Sequence, residues 1–379
     1  MHIVVFGLTV SSSWGNGHAT LWRSLIRSLL ARGHTFIFFE RDVPYYAQTR
    51  DLHTLPTGAE LCLYRDLASL KVRALRELAH ADLAVCTSYC PDGRFAAEWV
   101  LASRAVVRCF YDMDTPVTLR SLGTEATCAY LPSQGLGDFD LVLSYTGGRA
   151  LQELCTRLGA RNVAPLYGWV DPQTHYPVPT VERFRSAFSY LGTYAEDRQA
   201  ALEELFLKPA QLLSSEKFLI GGAQYPETFP WSDNLYFTQH LEPRQHPEFF
   251  CSSRATLNIT RRAMAEYGYC PSGRLFEAAA CGVPIFTDEW EGLDSFFTPE
   301  REVLCVSTVD DVVVGLSRSD KELSDMAEAA RARTLEEHTS DVRVRELERL
   351  WDAARGSVSS RTHESDFSRD TYACALEKC

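Results

Sequence analysis

The sequence predicts an α/β protein with two Rossmann-like domains, each built on a parallel sheet. The chain has 379 residues, of which 45% are hydrophobic, and is therefore long for one ordinary domain. Short apolar runs rich in β-branched and aromatic residues alternate with helix-period segments in both halves, which indicates βαβ units. Four prolines between residues 165 and 179 interrupt both periodicities. We place the domain boundary there.

The first half contains six predicted strands, which are HIVVFGL, TFIFFE, ELCLY, DLAVCTS, AVVRCFYD and FDLVLSY. The N-terminal run is interpreted as a strand and not a signal peptide, because it lacks a basic segment and soon meets three serines. The helix that follows carries an apolar stripe at helical spacing. The stripe consists of Leu21, Leu25, Ile26 and Leu29. Gly33 is placed to end this helix.

The second half repeats the alternation with the strands FSYLGTY, EKFLIGG, DNLYFTQ, ATLNITR, GVPIFTD and EVLCVST. Predicted helices include EDRQAALEELFLKP, SGRLFEAAACG and a helical pattern from residue 321 to about 354. The final segment is polar enough to be mobile. The predicted division is a first domain at 1–168, a linker at 169–185, a second domain at 186–335, a helix at 336–356 that returns to the first domain, and a tail at 357–379.

Charge and cysteine usage narrow the class of protein. A net charge of −12 argues against nucleic acid or an anionic membrane as the main partner. No run of about 18 apolar residues is present, so we expect no stable membrane insertion. The 12 cysteines are scattered without a CxxC pair, which indicates a reduced, cytoplasmic protein without structural zinc. The role of Cys374 and Cys379 in the tail stays open.

A glycine-rich stretch, WGNGHATLWRSL, follows the first strand and contains Gly15, Asn16, Gly17 and His18. It lacks the third glycine of GxGxxG, and no P-loop motif occurs, so it does not favour hydride transfer or a P-loop. The glycines permit a tight turn, which can be their whole role. The carboxyl end of a strand in an open α/β sheet borders the ligand crevice. We therefore interpret His18 as a base at neutral pH, against the alternative of a local hydrogen bond.

A partner for this base lies in FYDMDTPVTL, where Asp112 and Asp114 follow another strand of the same sheet. A carboxylate there can orient an imidazole and stabilise its charged form. The alternative is a turn at Asp114 that Asp112 caps.

The richest stretch is RRAMAEYGYCPSGRLFEAAACGVPIFTDEWEGLDSFF. Ser272 is a natural N-cap for a helix that starts at Gly273 and ends at Gly282. The amides and dipole at its start favour a phosphate, and the planar guanidinium of Arg274 suits a diphosphate. The alternative for Arg274 is an ion pair with an acid on the surface. Glu277, nearly one turn further on, can accept hydrogen bonds from a ribose diol; its alternative is a solvated helix carboxylate.

The loop after the next strand supplies carboxylates and backbone amides for a sugar. Its residues include Asp288, Glu289, Glu291 and Gly292.

The order of the motifs SSSWGNGHAT, FFERDVPYY, DTPVTL, YGWVDPQTHYP, RLFEAAACGVPIFTDEWEGL and LEEHTSDVR resembles the spore-maturation CgeB-like proteins, a branch of the GT-B glycosyltransferases. The resemblance spans about residues 1 to 350. It implies a GT-B fold in which a nucleotide sugar lies in a central cleft between two Rossmann-like domains, held chiefly by the second. It implies no bound metal and no cofactor beyond the nucleotide-diphosphate sugar.

By this resemblance, Glu277 matches the glutamate that contacts the donor ribose, and Arg274 lies on the segment that faces the phosphates. Gly192 matches the glycine of the first loop in the second domain. Many retaining members carry an acid eight residues before that glutamate, where this chain has Tyr269. Glu266 substitutes for it only if the intervening loop bends suitably.

His18 and Asp114 are similar to the base and orienting acid of inverting GT-B enzymes. In that chemistry Arg274, the helix amides and Arg261 or Arg262 stabilise the departing diphosphate. The function predicted from the sequence is therefore hexosyl-type sugar transfer to an unidentified acceptor, with inversion preferred. Two alternatives stay open, a nucleotide-sugar epimerase of the same fold and a catalytically silent protein that binds sugar nucleotides or glycans.

Overall fold

A computed structural model of the protein describes residues 1–15, 17–122 and 128–376, with side chains up to Val358. Asn16, Cys379 and the side chain of Cys374 lie outside the described part.

The first domain is a seven-stranded sheet in the order β3-β2-β1-β4-β5-β6-β7. Its strands are β1 (His2–Gly7), β2 (Thr35–Arg41), β3 (Ala59–Tyr64), β4 (Leu83–Thr87), β5 (Val107–Asp112), β6 (Leu141–Ser144) and β7 (Val163–Pro165). All neighbouring strands pair in parallel. The first six match the predicted runs, and the three-residue β7 was not predicted. The helices are α1 (Gly17–Ala31), α2 (Pro44–Gln48), α3 (Leu67–Leu78), α4 (Gly93–Ala102), α5 (Thr115–Ser121) and α6 (Arg149–Leu158).

The strands of this sheet are apolar because both faces are covered. One face packs on α3, α4 and α6, and the other packs on α1. Leu25, Ile26 and Leu29 of the predicted α1 stripe are buried against that second face, whereas Leu21 is partly buried at its margin. Gly33 adopts the left-handed conformation (φ 80°) just after α1, as expected for a glycine that ends a helix.

The second domain is a six-stranded parallel sheet in the order β10-β9-β8-β11-β12-β13. Its strands are β8 (Ser186–Leu191), β9 (Phe218–Gly222), β10 (Leu235–Gln239), β11 (Ser253–Asn258), β12 (Ile285–Thr287) and β13 (Leu304–Cys305). Four of them lie within predicted runs, whereas β8 and β11 each begin two residues before theirs. Its helices are α7 (Gln199–Leu202), α8 (Lys208–Leu212), α9 (His246–Cys251), α10 (Arg262–Tyr267), α11 (Gly273–Cys281), α12 (Val309–Leu316) and α13 (Asp320–Glu337). A short π-helical turn, Glu203–Leu207, joins α7 to α8. Both domains thus have the Rossmann strand order, which reverses beside the first strand.

The C-terminal helical pattern divides in two. After α13, the backbone of His338 and Ser340 pairs with Val170 of the linker, and α14 (Ser340–Leu376) then begins. α14 packs on the first domain through Val344, Leu347 and Ala354. It continues beyond residue 356, where the sequence analysis ended it, because no proline interrupts the chain there. The mobility of residues 357–379 stays a prediction.

The ten described cysteines are free thiols. Among the described helices, none combines the length and apolar character needed to cross a bilayer.

Candidate active site in the cleft between the domains

The loop after β1 is held by a buried acid that the sequence analysis missed. Glu40, at the end of β2, is fully buried and accepts hydrogen bonds from Thr9 Oγ1 (2.8 Å) and Ser11 Oγ (2.5 Å). It also accepts bonds from the amides of Val10 (2.7 Å) and Ser11 (3.0 Å). Dinucleotide-binding domains use an acid in this region for the cofactor ribose. Here that carboxylate fixes the loop that leads to His18.

The structure brings His18 and Asp114 together. His18 lies in the first turn of α1, and its Nε2 is 2.7 Å from Oδ2 of Asp114, the residue before α5. The two side chains are 14% and 21% exposed, so the pair is partly buried. Asp114 makes no side-chain capping bond to its helix. Its carboxylate therefore orients the imidazole.

Asp112 supports this arrangement from below. It is fully buried, and its Oδ1 accepts a hydrogen bond from the amide of Asp114 at 3.1 Å. Burial raises the pKa of Asp112 to about 7, although the hydrogen bonds that its carboxylate accepts act in the opposite direction and lower it. Asp112 fixes the turn, and Asp114 faces His18.

An aromatic residue in a strained conformation borders the pair. Tyr89 has a φ of 59°, which costs on the order of 1 kcal/mol or more for a bulky residue. Its ring lies edge-on to His18, with centroids 6.1 Å apart, and packs on Tyr130 at 5.3 Å. Tyr89 is 37% exposed, so part of its side chain faces solvent beside the imidazole.

On the opposite domain, α11 has the predicted capping. Ser272 Oγ accepts a hydrogen bond from the Arg274 amide at 3.3 Å, and Gly282 ends the helix in the left-handed conformation. Gly273 stands at the first helical position. The Arg274 guanidinium forms an ion pair with Glu277 Oε2.

Two histidines that sequence reasoning missed surround Glu277. His246, the first residue of α9, places Nδ1 3.1 Å from Glu277 Oε2, and His175 of the linker places Nε2 3.7 Å from the same oxygen. All three side chains are buried. Burial favours a higher pKa for Glu277, but the attraction of Arg274 and the histidines outweighs it and holds that pKa well below its ordinary value. Burial also lowers the pKa of both histidines, that of His175 to about 4.

The ligand atoms of His175, His246 and Glu277 lie within 4.8 Å of one another, a spacing that metal sites share. The Arg274 guanidinium, however, pairs with the same Glu277 oxygen and lies 3.4 Å from His246 Nδ1. A metal ion there would meet this cation. The cluster therefore fits the arginine better than a metal, and metal independence stays a prediction.

A cleft pocket joins the two domains. Its lining includes Ser13, Gly15 and Gly17 from the first domain and Gly192, His246 and Arg274 from the second. Trp14 of the first domain and His240 of the second also contact each other, with their ring centroids 4.1 Å apart. The predicted acceptor glycines and the predicted donor residues Gly192 and Arg274 thus share one cavity.

The other described site residues that the sequence predicts do not line this pocket, and they are His18, Asp114, Arg261, Ser272, Gly273, Glu277, Glu291 and Gly292. Arg261 is exposed, and its Nε lies 3.5 Å from Asp197 Oδ2. Glu291 and Gly292 contact Tyr269, whose amide donates to the Glu291 carbonyl at 2.7 Å.

Tyr269 joins the domains. It has a φ of 45°, its carbonyl accepts a bond from the Gly147 amide at 2.9 Å, and its ring fits between the Cα positions of Gly148 and Gly292. Glu266 pairs with Arg120 at 2.6 Å and with Arg262 at 3.0 Å. Its substitution for the acid missing at position 269 stays a prediction.

Comparison with solved structures identifies the fold of the chain. Sucrose-phosphate synthase from Thermosynechococcus elongatus is 13% identical over 97% of this chain and 99% of its own, with a TM-score of 0.61. HepE of Anabaena, in complex with UDP-glucose, is 12% identical over 95% and 100%, with a TM-score of 0.62. An α-glucosyltransferase in complex with UDP-glucose and DNA containing an abasic site is 11% identical over 93% and 99%, with a TM-score of 0.66. The chain has the GT-B fold.

Within this GT-B chain, residues 198–349 match the model of the family described as "Glycosyl transferase-like". The matched part contains α11 with Arg274 and Glu277. A search of curated proteins finds no match to the sequence. The resemblance to the CgeB-like branch stays a prediction.

Proposed function

We propose that this GT-B protein is a glycosyltransferase that moves a sugar from a nucleoside-diphosphate sugar to a hydroxyl of an acceptor. One observation carries the proposal. The His18–Asp114 pair and the Arg274–Glu277 pair belong to opposite domains, and the cleft pocket is lined by Gly17, the neighbour of His18, and by Arg274. A base and a diphosphate site on opposite sides of one cleft suit transfer between two bound substrates.

The donor side is assigned to the second domain. The start of α11 and the Arg274 guanidinium favour the diphosphate, because amide dipoles and a charged fork both stabilise phosphate oxygens. The Glu277 carboxylate accepts hydrogen bonds from the ribose hydroxyls. The partial family match over this segment and the UDP-glucose complexes of structural neighbours support the assignment.

The acceptor side is assigned to the first domain. His18 removes the proton of the acceptor hydroxyl, and Asp114 stabilises the resulting imidazolium. The acceptor oxygen bonds to the anomeric carbon while the bond from that carbon to the diphosphate oxygen breaks. Arg274 and the α11 amides stabilise the charge of the leaving diphosphate, and no metal takes part.

Inversion at the anomeric carbon is part of the proposal. A single displacement with one base gives inversion, and Tyr269 stands where many retaining relatives carry an acid. The net charge of −12 favours an acceptor other than nucleic acid. We also keep the cytoplasm as the proposed location.

The test begins with a thermal-shift panel of UDP-, GDP- and dTDP-sugars, because a ligand that binds only the folded state raises the unfolding temperature. UDP-glucose is the first donor to test. Product analysis then separates the functions: transfer only with an acceptor indicates a glycosyltransferase, and an isomerised sugar from donor alone indicates an epimerase. Binding without turnover over a broad set of acceptors indicates a silent binding protein.

A further inference from the structure

Tyr145 of the first domain reaches the helix start in the second domain. It follows β6, its side chain is only 8% exposed, and its ring belongs to the first-domain core. A Cβ atom built on Gly273, the first residue of α11, would lie 3.9 Å from Tyr145 Oη. One built on Gly168 of the connecting segment would lie 2.0 Å from the same oxygen. The hydroxyl is therefore packed on Gly168 and directed toward the start of α11.

This hydroxyl makes no hydrogen bond to any of the residues that the structure describes. Tyr111, on the neighbouring strand β5, differs, because its hydroxyl donates to the Leu166 carbonyl at 2.8 Å. Tyr145 Oη is not one of the fully buried polar atoms that lack a partner, so its oxygen keeps some access to solvent. Its hydrogen can therefore be donated to a ligand at the start of α11.

The surroundings indicate what kind of ligand this is. Gly273 contributes an amide and no side chain, and Arg274 follows it with its guanidinium. Burial raises the pKa of Tyr145, with smaller contributions from Cys270, Asp114 and Glu277. The hydroxyl is therefore a donor at neutral pH, and a donor beside helix amides and an arginine suits an oxyanion.

We propose that Tyr145 donates a hydrogen bond to the diphosphate of the donor at the start of α11. This inference rests on the proposed function. It adds a contact from the first domain to a site otherwise formed by the second. The diphosphate then binds both domains at once and stabilises the arrangement in which His18 faces the donor.

The experiment compares the wild type, Tyr145→Phe and Tyr111→Phe by titration calorimetry with UDP, inorganic pyrophosphate and uridine. Tyr145→Phe removes only the hydroxyl and is expected to weaken binding of UDP and pyrophosphate about ten-fold, equivalent to about 1.4 kcal/mol. Its uridine affinity should stay unchanged. Tyr111→Phe should lower the unfolding temperature, because it removes a satisfied buried hydrogen bond, and leave all three affinities unchanged.

A second variant tests the same site in case Tyr145→Phe does not fold. Gly273→Ala adds a methyl group at ordinary contact distance from the Tyr145 oxygen and should weaken pyrophosphate binding without lowering the unfolding temperature. If the wild type binds UDP and pyrophosphate but Tyr145→Phe binds them equally well, the role of Tyr145 is overturned and the proposed function stands. If the wild type binds no donor of the panel and neither UDP nor pyrophosphate, the proposed function fails and this inference fails with it.

Discussion

His18 and Asp114 are 96 residues apart in the chain, yet His18 Nε2 lies 2.7 Å from Asp114 Oδ2. They follow β1 and β5, which are separated in the sheet only by β4. Because parallel strands end at the same edge, the fold converts two distant segments into one hydrogen-bonded pair. This relationship underlies the proposed base.

Replacing His18 with Ala should lower turnover about 10²- to 10⁴-fold, the usual contribution of a general base, and leave donor affinity nearly unchanged. Steady-state kinetics and calorimetry with the same donor measure the two effects. The matched control is His34→Ala, since His34 pairs with Glu348 away from the cleft. Turnover near the wild-type value in His18→Ala would remove the proposed base.

Glu40→Gln should destabilise the protein by about 1–3 kcal/mol. The substitution places an amide NH₂ among hydroxyl and amide donors in a fully buried site, so some donors lose their acceptor. Turnover should fall as well, because this carboxylate fixes the loop before His18. Urea unfolding gives the free energy. The control Glu60→Gln removes an exposed ion pair with Arg73 and should change stability by less than about 0.5 kcal/mol. Equal stability of the two variants would contradict the role of Glu40.

Stability should fall as the pH drops from about 6.5 toward 4. Burial lowers the pKa of His175 to about 4 and that of His338 to about 3. In this window the unfolded chain binds protons that the folded chain does not, so the free energy of unfolding rises with pH. His338→Gln should therefore show a shallower slope of unfolding free energy against pH. The control His53→Gln, at an exposed position, should keep the wild-type slope. An unchanged slope in His338→Gln would show that this histidine does not contribute.

Gly148→Ala should weaken the contact between the domains. Gly148 has a φ of 54°, and a Cβ there would lie 2.6 Å from the Tyr269 ring. Gly33→Ala is the matched control for backbone strain, since Gly33 has a φ of 80° with open space around it. We expect Gly148→Ala to be destabilised more than this control, and the double variant Gly148→Ala/Tyr269→Ala to recover part of the difference in a double-mutant cycle. No recovery would mean that Tyr269 does not fill this space.

The sequence predicted most of the fold because the central strands of both sheets are buried on both faces and form continuous apolar runs. β7 was not predicted because it has only three residues, one of them Pro165, and so short a segment shows no alternation of apolar and polar side chains. The last helix was predicted to begin at residue 336, four residues before α14 begins at Ser340, because the break depends on backbone pairing of His338 and Ser340 with the distant Val170. Neighbouring side chains do not encode such a contact.

Strand ends and helix caps are local signals, so His18, Asp114 and Ser272 could be placed from the sequence. The two histidines beside Glu277 could not. His246 and His175 come from another helix and from the linker, at separations that no motif specifies. Glu40 had a local signal, an acid at the end of a buried strand, but only the folded loop shows what it binds.

Calorimetric titration of the wild type, Glu277→Ala and His18→Ala with the nucleotide sugar that gives the largest thermal shift tests whether the second domain binds the donor. We expect the wild type and His18→Ala to bind this donor with similar affinity and Glu277→Ala to bind it at least about ten-fold more weakly, because the ribose loses its acceptor. Glu266→Ala, which removes an exposed acid paired with Arg120 and Arg262, is the control and should bind as the wild type does. Unchanged donor affinity in a folded Glu277→Ala variant would contradict the placement of the donor in the second domain.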